Sequence, residues 1–263
     1  MLKYPVVLVH GVGAHDRKCG TKFWGRIPEV LSSMGMEVFT GNTDSWGTYE
    51  SNAATLKANI ENILLKTGKE KVNIIGHSKG GLDSRYLIWK YDFGDKIASL
   101  TTICTPHQGS EIADLLFDKK ITHTKFIKKG LTIFGKTLYG KLYGDLTPDL
   151  YSVNCQLTTA KMKEFNETVI ADKRVFYQNL YTIMNDAFDD LRFSFGYMFL
   201  KKVSGESDGV VSERSVKWGT NTVKIAEGVS HADILDIKRK KISGVDVPDI
   251  YIKIAKDLYD KGF

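Results

Sequence analysis

Cysteine is scarce in this sequence: 263 residues hold three, Cys19, Cys104 and Cys155. An odd count at unrelated spacings fits neither a disulfide framework nor a zinc cluster, and points to a reducing, cytoplasmic setting. No apolar run approaches the ~18 residues that a spanning helix needs. The N-terminus passes from Met1-Leu2-Lys3 straight into Tyr4 to Val9, punctuated by Pro5 and then His10-Gly11. That is not a signal peptide, although a signal removed beforehand would leave secretion open. Internal repeats, linkers and low-complexity tracts are also missing, so one domain over 1–263 is the economical reading. Acids nearly vanish between Asp118 and Gly144, where seven lysines (119, 120, 125, 128, 129, 136 and 141) face one acid. This local excess accounts for the whole net charge of +6, and the remainder balances at 30 against 30. With no recognition helix and no aromatic ribonucleoprotein motif beside it, the patch does not indicate nucleic acid. It suits an anionic surface such as a lipid interface.

What is present is an alternation of two periodicities. A short apolar run at Tyr4 to Val9 precedes a helical pattern through Phe23, Trp24, Ile27, Val30, Leu31 and Met34. A second run, Met36 to Phe39, precedes Ala53, Leu56, Ile60, Ile63 and Leu64, a helix ending at Gly68. Val72 to Ile75, a helix from about Lys79 to Lys90, and a strand from Ile97 to Cys104 follow. Parallel neighbours need crossover connections, so this order implies an α/β fold: a mainly parallel central sheet with helices on both faces. From about 111 to 172 the rhythm becomes lysine-rich and helix-like, with Gly130, Gly135, Gly140 and Gly144 scattered through it. It is too long for a simple loop and reads as a helical cap or lid. Strand character returns at Val175 to Ile183, near Met198 to Val203, and at Val216 to Ile225. A last amphipathic helix runs through Ile250, Ile254 and Leu258.

Gly76-His77-Ser78-Lys79-Gly80 lies between an apolar strand and a helix, the setting of a nucleophile elbow. The turn is so sharp that side chains at Gly76 and Gly80 would strike neighbouring backbone, and the serine sits at its apex. A serine alone is a weak nucleophile, so a base and an acid should follow it on later strands in the order Ser, acid, His. Five of the six histidines lie at or before position 123, which leaves His231. For the acid, Asp208 in Ser207-Asp208-Gly209 leads, with Asp186, Asp189 and Asp190 as rivals; Asp233 and Asp236 are too near His231. Backbone N–H groups should hold the oxyanion, one from Lys79 and one from Val12 in the loop after the first strand. His10 reads as a histidine shaping that loop more readily than as a second base.

Together, Tyr4-Pro-Val-Val-Leu-Val-His10-Gly11, Gly76-His-Ser78-Lys-Gly-Gly81, Leu100-Thr-Thr-Ile-Cys-Thr105-Pro106-His107-Gln-Gly109-Ser110, Ser207-Asp208-Gly209-Val-Val211 and Ser230-His231-Ala-Asp233 resemble the bacterial true lipases. These are α/β-hydrolase triacylglycerol lipases and esterases of pseudomonads and Gram-positive bacteria. The resemblance implies Ser78, Asp208 and His231 as a catalytic triad, Val12 and Lys79 as oxyanion donors, and a mobile lid after Ser110. It implies a serine carboxylic-ester hydrolase that needs no cofactor for its chemistry and acts on lipid or other esters through an acyl-enzyme. An acyltransferase could use the same residues. A non-catalytic surface-binding module would not need the ordered set, and dehalogenases and epoxide hydrolases of this fold use an acidic nucleophile. Pseudomonad relatives also imply a structural calcium held by Asp233. Here the glutamine expected nearby is Ile237, and the earlier ligand falls among Asp186, Asp189 and Asp190. Zinc, bound by some Gram-positive relatives before the elbow, is not expected, since no histidine lies between His15 and His77.

Overall fold

The computed structural model describes residues 2–16, 20–117, 130 and 136–263. Cys19 and most of the lysine-rich stretch therefore lie outside the described residues. The strands are β1 (Val6–Val9), β2 (Val38–Thr40), β3 (Val72–His77), β4 (Ile97–Ile103), β5 (Phe176–Ile183) and β6 (Thr222–Glu227). The longer helices are α1 (Ile27–Ser33), α2 (Tyr49–Thr67), α3 (Lys79–Lys90), α4 (Glu111–Phe117), α5 (Leu150–Gln156), α6 (Thr159–Thr168), α7 (Ser194–Val203) and α8 (Val247–Asp260).

Every residue of β1, β3 and β4 is buried. That is the condition of central strands with helices over both faces, and it explains their nearly unbroken apolar sequence. The six strands run β2-β1-β3-β4-β5-β6, and each adjacent pair is parallel. Alternation along the strands divides the core. Val6, Leu8 and Ile75 pack with Trp24, Ile27 and Leu31 on one face, and Tyr251, Ile254 and Leu258 of α8 join them. Val7, Val9 and Ile74 pack on the other against Ala53, Leu56 and Ile60 of α2 and Leu87 of α3. Asn73, the polar residue inside β3, is satisfied: its amide donates to Tyr4 O at 3.3 Å and accepts from Ser99 Oγ at 2.7 Å.

Helix α2 ends where the sequence indicates. Gly68 adopts a left-handed φ of 66° and its N–H returns to Leu64 O at 2.9 Å. Two other expectations change. Met198 to Val203 belongs to α7 and is not a strand, because a short apolar run does not distinguish the two states and its inward residues Gly196, Tyr197 and Leu200 follow helical spacing. The last strand starts at Thr222, after a single helical turn at Glu213–Val216. Between β4 and β5 lie α4, a helical segment at Lys136–Tyr143, α5 and α6. Helix α6 is anchored on α3 through Leu82, Met162, Phe165 and Val169.

Candidate active site

Ser78 separates β3 from α3 with φ 54° and ψ −130°, a conformation that most side chains avoid. Its N–H donates to Ile103 O at 2.9 Å, and Thr105 Oγ1 donates to its carbonyl at 2.8 Å. The strained apex is thus held from β4. A Cβ added at Gly80 would sit 2.3 Å from Val9 O, and one at Gly76 would sit 2.8 Å from Gly81 Cα. Both glycines are required by close backbone approach.

The chain reaches Asp208 by an excursion. After β5 it leaves through α7, then returns so that Met184 N–H donates to Ser207 O at 2.8 Å. Asp208 therefore stands at the C-terminal edge of β5 although a helix precedes it in sequence. Its Oδ1 accepts from the Val210 and Val211 N–H groups at 2.9 and 2.7 Å, which leaves Oδ2 to His231 Nδ1 at 2.7 Å. His231 follows β6, and its Nε2 lies 3.0 Å from Ser78 Oγ. These bonds define the tautomer: Nδ1 donates to the carboxylate, and Nε2 accepts from the serine. The three groups are 5%, 1% and 8% exposed, so this relay is nearly dry. The rival acids stand elsewhere. Asp186 accepts from Phe188 N–H, Asp189 from Asn185 N–H, and Asp190 from Ser230 Oγ and Arg192.

Of the two expected oxyanion donors, Lys79 is the first residue of α3, where an N–H has no partner within its own helix. Val12 follows Gly11, at which a Cβ would come 2.5 Å from Ser78 Cβ. The first loop therefore lies directly against Ser78. His10 is buried, with Nδ1 donating to Gly11 O at 2.8 Å and Nε2 at 3.7 Å from Asp16, and so braces that loop.

Five side chains carry parts that sequence reasoning did not assign. His77 Nε2 donates to His231 O at 3.0 Å, and burial foremost, then the neighbouring His231, holds it well below the usual histidine pKa and thus neutral. Lys79 Nζ makes a fully buried ion pair with Asp83 Oδ1 at 2.5 Å, and Asn52 Nδ2 donates to Asp83 Oδ2 at 2.8 Å. Lysine and aspartate four apart on a helix are legible in the sequence, but their burial is not. Cys104, at φ 51°, groups with Asp208 and His231, their ligand atoms within 4.8 Å of one another. Burial and then the Asp208 charge push its thiol well above the ordinary range, so it remains protonated.

Whether Asp233 fits a calcium ion can be judged from its neighbours. Its Oδ1 faces Arg192 at 3.4 Å and its Oδ2 faces Lys238 at 3.0 Å, while Arg192 also holds Asp190 at 2.5 Å. A guanidinium already lies between the two carboxylates, and Ile237 contributes no oxygen. A hard dication needs several free oxygens. The residues around Asp233 do not fit calcium; they form an ion-pair clamp beside His231.

The sequence profile described as palmitoyl protein thioesterase matches residues 5–183. The chain belongs to that family. It is 29% identical to triacylglycerol lipase 2 of Saccharomyces cerevisiae over 92% of this chain and 74% of that protein. It is 33% identical to a triacylglycerol lipase of Pseudarthrobacter phenanthrenivorans over 62% of this chain and 53% of that one, so it spans about half the length of this bacterial relative. The Staphylococcus hyicus lipase structure superposes with a TM-score of 0.76 at 18% identity, covering 98% of this chain and 96% of that one. The fold is that of the α/β-hydrolases, as the lipase resemblance implies, and the family and its lipase relatives place the chain among hydrolases of acyl esters.

Proposed function

We propose that the protein hydrolyses carboxylic esters of lipids through an acyl-enzyme on Ser78. The observation that carries this reading is the unbroken contact from Ser78 Oγ to His231 Nε2 at 3.0 Å and from His231 Nδ1 to Asp208 Oδ2 at 2.7 Å. As Ser78 Oγ bonds to the acyl carbon, its proton moves to His231 Nε2, and Asp208 stabilises the imidazolium while holding the ring in place. The N–H groups of Val12 and Lys79 receive the developing oxyanion. His231 then protonates the leaving alcohol, and water repeats the sequence to release the acid. No step asks for a cofactor. The names borne by the relatives support lipid acyl esters, and the family's name adds thioesters to the substrates worth testing.

The same reading takes the segment from about 111 to 172 as a lid over the acyl site, a reading whose part at 118–129 and 131–135 lies outside the described residues. Ser78 and His231 are only 5% and 8% exposed, which suits an acyl site beneath a cover. The lysines of that segment would then meet a lipid interface. The deciding experiment is a panel of esters and thioesters from short to long acyl chains, with release of free acid measured below and above the solubility limit. Ser78→Ala should lower turnover by about 10⁴-fold or more and abolish labelling by an organophosphonate. Near-normal turnover in that variant would overturn the assignment. Equal specific activity across the solubility limit would remove the lid reading and leave the ester chemistry standing.

A further inference from the structure

Helix α7 is apolar on its outward face. Its inner side is tied to the catalytic loop: a Cβ at Gly196 would lie 2.1 Å from Gly209 O, and the Phe193 ring stands edge-on to His231 at 6.4 Å. On the outer side, Leu191, Phe195 and Met198 recur at helical spacing with exposures of 74%, 69% and 57%, and Phe188 just before them is 83% exposed. Helix α4 packs against the inner side of α7. Ile112 Cδ1 is 3.2 Å from the position of a Gly196 Cβ, and Leu116, one turn on, is 53% exposed. Large apolar side chains grouped in this way are rarely left to water without a purpose.

The charges beside this face have one sign in excess. Lys201 and Lys202 close α7. Arg192 and Lys238 converge on the two oxygens of Asp233, which brings Lys238 to the foot of the apolar stripe; Arg239 is held by Glu29 at 2.9 Å, and Lys240 and Lys241 follow it, exposed. The acids on the intervening loop are turned onto their own backbone, Asp189 Oδ2 accepting from Asn185 N–H and Asp186 Oδ1 from Phe188 N–H. An apolar stripe flanked by clustered lysine and arginine is the pattern of a surface that sits in the headgroup region of an anionic bilayer.

We infer that the outward face of α7, with the loop before it and the basic run at 238–241, docks the protein on an anionic lipid surface beside the catalytic loop. The inference rests on the ester-hydrolase reading for its purpose, but its test does not. The probes are sedimentation with vesicles of phosphatidylcholine alone and of phosphatidylcholine mixed with phosphatidylglycerol, at low and high salt. The wild-type chain should bind the anionic vesicles and release with salt. Phe195→Ser with Met198→Ser should weaken partitioning by about tenfold or more. Lys240→Glu with Lys241→Glu should abolish the preference for anionic over neutral vesicles. Both variants should keep the wild-type kcat/KM on a soluble short-chain ester, since none of these residues touches the relay. No vesicle binding by the wild type, or unchanged binding by the variants, would overturn the docking surface. So would a dimer in light scattering that Phe195→Ser with Met198→Ser converts to monomer while vesicle binding persists. A wild-type chain that binds vesicles yet releases no acid from any ester would instead defeat the hydrolase reading and leave the docking surface intact.

Discussion

Asp190 lies one contact from the relay, accepting from Ser230 Oγ, the neighbour of His231. Burial alone would raise its pKa, but hydrogen bonds from Arg192 and Ser230 outweigh that and hold it at about 2, below the ordinary 3.8. A carboxyl depressed on folding contributes stability that is complete above its unfolded pKa and lost as pH falls through the folded one. The melting-temperature gap between wild type and Asp190→Asn should therefore narrow as pH falls from 3.8 toward about 2. A gap that stays constant across that window would show that the carboxylate charge contributes nothing there. The buried Lys79–Asp83 pair allows a second prediction. Lys79→Met leaves Asp83 uncompensated and should cost about 3–5 kcal/mol in urea unfolding, whereas adding Asp83→Leu should recover most of it. The Lys79 N–H is unchanged in both variants, so ester turnover should fall far less than stability.

Helix α7 shows how a misread element can still leave the residue after it at the expected sheet edge. Its apolar residues suggest a strand when taken by composition, and Asp208 still follows it at a sheet edge because the chain returns to pair Ser207 with Met184. The contact that secures this return is between Gly196 and the Gly209 carbonyl, where a Cβ would come within 2.1 Å. Gly196→Val should lift α7 from the turn that carries Asp208. Turnover should drop by about 10²-fold through misplacement of the acid, while far-ultraviolet circular dichroism stays that of the wild type. The Thr105-Pro106-His107 segment, quoted in the sequence for its resemblance alone, acquires a role at this level. His107 accepts from Arg85 at 3.1 Å and donates to Thr102 at 3.0 Å, and so braces α3 against β4. Burial first, then the Arg85 charge, keeps it neutral.

For the molecule as a whole, the Asp190–Arg192–Asp233–Lys238 clamp leads to a prediction about metal. Because cations of the chain already face these carboxylates, excess chelator should leave both melting temperature and ester turnover unchanged. Arg192→Ala should lower stability by about 1 kcal/mol, since Asp190 loses its cation while Lys238 still faces Asp233 and the guanidinium is half exposed to water. A chelator-induced fall in melting temperature would reverse this and restore Asp233 as a calcium ligand. Among the described residues, no helix is long and apolar enough to cross a membrane.

The parallel α/β order, the sharp turn at Ser78 and the meeting of Ser78, Asp208 and His231 in one place were all legible in the chain. Each depends on local rules: strand and helix periods, the glycines of a tight turn, and the order in which partners must follow a nucleophile. Strand or helix at Met198 to Val203 was not legible, because a run of apolar residues satisfies either until its packing partners are known. The burial of Lys79 with Asp83, the thiol of Cys104 beside Asp208 and the arginine between Asp190 and Asp233 were hidden for a related reason. These contacts join residues that the fold brings together from distant strands, or bury charges that sequence alone would leave in water. Charge and polarity can be read from one residue at a time, whereas desolvation and pairing depend on everything packed around it.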